Sequence, residues 1–73
     1  MSYLIEALIK KLEGEIAMAR ANIQVYTKNA AGIGEHPDIV EAIELQIHKI
    51  AEAEDKIAVC KDHFGPGNEV RHG

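Results

Sequence analysis

The positions Ile5, Ile9, Leu12, Ile16, Ala19, Ile23, Tyr26 and Ala30 follow one another at alternating steps of four and three without a break. Such steps average 3.5 residues, close to the turn of an α-helix, so they line up along one side of a helix and of no other regular backbone. The spacing predicts a long amphipathic helix over about 3–31. From Ile39 the same arithmetic resumes through Ile43, Gln46, Ile50, Ala53, Ile57, Cys60 and Phe64, and predicts a second helix over about 37–64. The expected fold is all-α: an antiparallel helical hairpin.

The helix ends carry their own signals. Ser2 suits an N-cap, since its hydroxyl can accept from an orphan N–H of the first turn. Gly65, Pro66 and Gly67 close the second helix, glycine by accepting a left-handed backbone and proline by being unable to continue. Between the helices stands NAAGIGEHPDI, residues 29–39. Gly32 and Gly34 are read as the reversal, and Pro37 as the first helical residue, where its missing N–H costs nothing. A phosphate cradle is set aside: a dinucleotide fingerprint needs a third glycine and a preceding strand, whereas here proline and a helix stand in those places. His36 has no structural necessity and is the loop's candidate functional residue. Gly14, inside the first helix, is read as a tolerated glycine or a point of close approach. One domain is expected over 1–65, followed by a disordered polar tail over 66–73.

With a short connection, residues whose numbers sum to about 69 lie at the same height. Ala19 then faces Ile50, Ile16 faces Ala53, Tyr26 comes near Ile43, and Ile5 near Phe64. Small residues meet large ones in each layer, as interdigitation requires. Gln46 is the polar member of the seam, level with Ile23, and a buried amide there fixes register at some cost in stability.

Seventy-three residues rarely bury enough apolar surface to hold a fold without a metal, a disulfide or another chain. Leu4, Leu8, Met18 and Val25 on the first helix, with Val40 and Ile47 on the second, also widen the apolar stripe beyond what two helices cover. A homodimer closing a four-helix bundle is therefore expected. Its core and dimer seam is assigned to Ile9, Leu12, Ile16, Ile23, Tyr26, Ile43, Ile47, Ile50, Ile57 and Phe64. Charge agrees with the hairpin. Lys10, Lys11, Arg20 and Lys28 against Glu6, Glu13 and Glu15 leave the first helix at +1, while three lysines against seven acids leave the second at −4. Opposite bias favours pairing of unlike helices.

Composition excludes several functions. A net charge of −4, a pI near 5.5 and 4% aromatic residues do not furnish the basic face and stacking rings of a nucleic-acid binder. The single cysteine, Cys60, forbids an internal disulfide framework and a cysteine zinc cluster, and fits a reducing compartment. Neither a run of about 20 apolar residues nor a signal-peptide pattern is present, so no membrane partner and a cytoplasmic location are expected.

On the second helix Glu41, Glu44, His48, Glu52, Asp55 and Asp62 fall within an arc of about 80° opposite the seam. Glu44, His48 and Glu52 are successive i, i+4 neighbours and are the candidate divalent-metal ligands. The competing reading is a solvated face with Glu52 and Lys56 as an ordinary ion pair, and it is preferred because an outward ladder does not converge. Di-iron bundles need Glu-x-x-His pairs aimed inward, and no such pair occurs. Glu41 with Glu44 and Glu52 with Asp55 match the E-x-x-E and E-x-x-D spacing of the all-α nucleotide pyrophosphatases. In that family, however, the pairs converge from two helices onto magnesium. Cys60 falls on the seam as a small core residue, although His63 follows at three residues.

The hairpin resembles the plasmid-encoded Rop-type dimers in architecture, two hairpins in a four-helix bundle. Its basic residues are too few and too scattered to grip paired RNA loops as those dimers do. The run GIGEHPDIVEAIELQIHKIAEAEDK, residues 32–56, resembles that of small helical proteins of tailed phages, marine ones especially. It bears on source and attaches no activity. A non-enzymatic, dimeric interaction, structural or regulatory module that binds another protein is expected, with no cofactor. The alternative is a small-ligand or divalent-metal binder using the acidic face of the second helix or the loop histidine.

Overall fold

A computed structural model describes residues 1–28 and 36–66, with the backbone alone for His36 and Pro37. The chain forms two helices, α1 over Tyr3–Lys28 and α2 over His36–Phe64, and no strand occurs among the described residues. It is an all-α helical hairpin. Residues 29–31, expected in the first helix, and the turn glycines Gly32 and Gly34 lie outside the described residues, as does the tail beyond Pro66. His36 and Pro37 form the start of α2, which begins one residue ahead of the expected position.

Ser2 caps α1: its Oγ accepts the Ile5 N–H at 3.2 Å, and its carbonyl accepts the Glu6 N–H at 3.0 Å. One of the orphan N–H donors of the helix start is thereby satisfied, and the first intrahelical bond is closed. At Gly65, just past α2, the expected left-handed backbone is not found, while Gly67 lies outside the described residues. The Gly65 N–H still donates to the Lys61 carbonyl at 3.1 Å, and its φ lies outside the left-handed region. Glycine is needed there for space, because an added Cβ would run into that same Lys61 carbonyl oxygen. Gly14 is the opposite case. A Cβ at Gly14 would meet no heavy atom within 4 Å, so it is not a point of close approach within the chain.

The two spaced rows become the core. On α1 Ile9, Leu12 and Ala19 are buried and Ile5, Ile16, Ile23 and Tyr26 half-buried; on α2 Ile39, Gln46, Ala53 and Cys60 are buried and Ile43, Ile50 and Ile57 half-buried. Phe64 departs from this pattern and is 50% exposed. It sits at the open end of the hairpin, where a seam position has packing on one side only, and its ring is tilted against His63 at 6.2 Å. Ile47, assigned to the same seam, is also exposed; it lies one position beyond Gln46 and points to the side of α2 rather than at α1.

Direction and register are visible in polar contacts. Asn22 of α1 is bonded to Gln46 of α2, and the charge of Lys56 reaches Glu15. Rising numbers on one helix thus meet falling numbers on the other, within about two residues of the expected sum.

Candidate functional site

The acidic face of α2 is solvated. Glu44, His48 and Glu52 are all exposed. His48 Nε2 lies 3.5 Å from Glu52 Oε2, and Lys56 Nζ lies 3.4 Å from Glu52 Oε1. The Glu52 carboxylate is therefore shared between an imidazole and an ammonium, an exposed arrangement worth at most about 1 kcal/mol. No group of three or more His, Cys, Asp or Glu side chains among the described residues could hold a metal ion. The ladder spacing is real, but the side chains do not converge. Cys60 is buried in the seam. For His36 nothing beyond its backbone is described.

A groove of about 430 Å³ runs along one flank of the hairpin. Ala19 and Gln46 form its floor, Met18 and Asn22 one wall, and the charged groups of Glu15, Lys49 and Glu52 its rim. Periodicity explains the assembly. Glu15, Met18 and Asn22 belong to an α1 row that stands one residue before the seam, and Lys49 and Glu52 to the equivalent row of α2.

Asn22 Nδ2 donates to Gln46 Oε1 at 3.1 Å. Gln46 is only 5% exposed, and a buried amide left unpaired would cost about 1–3 kcal/mol. The Gln46 Nε2 donor group and the Asn22 Oδ1 acceptor have no partner among the described residues, and no fully shielded polar side-chain atom of a non-exposed described residue is left unsatisfied. Asn22 is exposed and Gln46 Nε2 is not fully shielded, and both residues line the groove. Sequence reasoning singled out Gln46 and missed Asn22, which looks like an ordinary surface amide until the register sets it level with Gln46.

Lys11 Nζ contacts Glu15 Oε2 at 2.6 Å on the rim. That hydrogen bond holds the Glu15 carboxyl below its ordinary value of 4.5; desolvation acts the other way, and the charges of Lys11 and Lys56 lower it further.

Ten large apolar side chains are exposed among the described residues: the six anticipated on the widened stripe, together with Tyr3, Leu45, Val59 and Phe64. Leu45 and Val59 were missed. They belong to the α2 row of Lys49 and Glu52, whose polar members disguise it. No described helix is long and apolar enough to cross a membrane. No family model, curated protein or solved structure matches the chain.

Proposed function

We propose that this chain is a non-enzymatic, homodimeric helical-hairpin module of the cytoplasm, built to present its remaining outer face to another protein. The imbalance between core and surface carries the reading. Among the described residues six apolar ones are buried, of which two are alanines and one a cysteine, and Leu12 is the one large side chain buried to 2% exposure or less, against ten large apolar side chains left in water. A hairpin that small gains little over its conformational entropy on its own, and exposed aliphatic rows along both helices match the sides of a four-helix bundle. A source among tailed phages rests on residues 32–56 alone, and the genes flanking this one test it.

Light scattering coupled to size exclusion, at micromolar protein and with the far-UV spectrum recorded on the same sample, tests the assembly. Twice the chain mass of 8.0 kDa is expected. A fully helical monomer would overturn the reading.

A further inference from the structure

The geometry points to one particular face and one particular orientation for the second copy: the groove flank, related to its mate by a two-fold axis parallel to the helices, so that α1 of each copy lies against α2 of the other. This deepens the dimer reading and rests on it.

The exposed apolar side chains choose the face. Continuing the groove rows by steps of four and three gives Leu4, Leu8, Lys11, Glu15, Met18, Asn22 and Val25 on α1, and Ala42, Leu45, Lys49, Glu52, Lys56 and Val59 on α2. Six of the ten exposed large apolar residues stand in these rows, namely Leu4, Leu8, Met18, Val25, Leu45 and Val59. The opposite flank holds two, Val40 and Ile47. There α1 offers Glu6, Lys10, Glu13 and Arg20 instead, which makes it the better candidate for the solvated side.

The heights choose the orientation. A two-fold axis parallel to the helices leaves every residue at its own height, so what meets across the interface is read from the hairpin register itself, anchored by the Asn22–Gln46 bond. Val25 falls on Leu45 of the second copy, and Leu8 on its Val59. In the middle Asn22 falls on Gln46. Left open within one copy, among the described residues, are the Gln46 Nε2 donor group and the Asn22 Oδ1 acceptor. Symmetry brings each to the other's complement, twice, and closes a ring of four amides. Lys49 has no ion pair in its own chain among the described residues. The same heights set Lys11 level with Lys56 and Glu15 level with Glu52 of the second copy, so the charges pair diagonally, Glu15 between Lys49 and Lys56 at about 6 Å or less along the axis. A self-complementary patch of this kind is what an isologous interface requires.

Size is adequate. Helices of 26 and 29 residues side by side present a face about 40 Å long and about 20 Å wide. That is about 800 Å² per copy, the area of a standard stable interface.

The test uses a Cys60→Ala background in which copies carrying Val25→Cys are mixed with mass-tagged copies carrying Leu45→Cys, then mildly oxidised. The expected product is a disulfide-linked pair containing one copy of each, with neither variant linking to itself. Dimeric mass without the mixed product overturns this face and orientation while leaving the dimer reading intact; monomeric mass overturns both. The unsubstituted chain supplies a second measurement free of any folding defect. An equal mixture of unlabelled and nitrogen-15-labelled protein is treated with a carbodiimide and digested. A Lys49 to Glu15 linkage joining labelled to unlabelled peptide is expected, and linkages confined within single copies of a dimeric sample would overturn the proposal.

Discussion

Leu12→Ala is the substitution that most directly weighs the core. Leu12 is 2% exposed and stands in the middle of the α1 seam, level with Ile57 in the hairpin register. Truncation removes three carbons and leaves a gap that only partly closes; such changes cost about 2–5 kcal/mol, depending on how far the surroundings relax. Two helices can approach each other more easily than the walls of a large core, which places this site in the lower half of the range, at about 3 kcal/mol. Urea unfolding followed by far-UV circular dichroism reads the loss. With a slope of about 1 kcal/mol per molar urea for so small a chain, the midpoint should fall by about 3 M at fixed protomer concentration. Holding concentration fixed matters because association adds to apparent stability. Leu4→Ala deletes the same atoms at a site 69% exposed, and below the dissociation concentration of any dimer it should cost less than about 0.5 kcal/mol. A midpoint shift under about 0.5 M for Leu12→Ala would refute the core assignment.

Gly14→Ala should stabilise the protein by about 0.5–1 kcal/mol, because the added methyl meets nothing within 4 Å and alanine restricts the unfolded chain; a lowered melting temperature would show an unseen neighbour. Glu15 has a lowered carboxyl pKa, so its contribution is complete above the ordinary value of 4.5 and fades as pH falls through the lower folded value. Lys11→Met should move the Glu15 titration upward in an NMR pH series, and an unmoved titration would remove Lys11 as the main cause. Millimolar zinc or manganese should leave the thermal midpoint where it is, since Glu52 is already shared by His48 and Lys56 and no third ligand converges on it; a clear rise would favour the metal-binding alternative through linkage.

The spacing of apolar residues made most of the fold legible. From Ile5 to Tyr26 and from Ile39 to Cys60, every position on the two rows is buried or half-buried, because the row is a property of helical geometry and needs no knowledge of the partner. Phe64 obeys the same row and is nevertheless exposed, because at the open end of the hairpin a seam position has packing on one side only, and a row does not show where that end falls. Gly65 shows another limit: sequence pointed to glycine at the correct residue, while the reason proved to be the nearness of the Lys61 carbonyl. The candidate site was the least legible part. Asn22, Glu15 and Lys49 share a groove only once two helices are set side by side, and a row of alternating charges and aliphatics reads as plain surface. The acidic ladder was legible as a spacing, but spacing alone could not tell convergence from a solvated face.

The Asn22–Gln46 bond has a consequence for how the chain finds its fold. Ile43, Ile50 and Ile57 recur at intervals of seven, and Ile9, Ile16 and Ile23 do the same on α1. Sliding one helix past the other by seven residues, about 10.5 Å, would lay isoleucine over isoleucine almost as before, so aliphatic packing by itself leaves several alignments nearly degenerate. A slip of three or four residues, which also keeps the rows, would instead set Gln46 beside Val25 or Met18 with its amide unanswered, at a cost of about 1–3 kcal/mol, whereas a slip of seven sets it beside the polar Glu15 or Asn29. The amide pair works like the single notch on an otherwise uniform key. It adds little to the depth of the native state, but it raises the floor of the nearest traps, those three or four residues away.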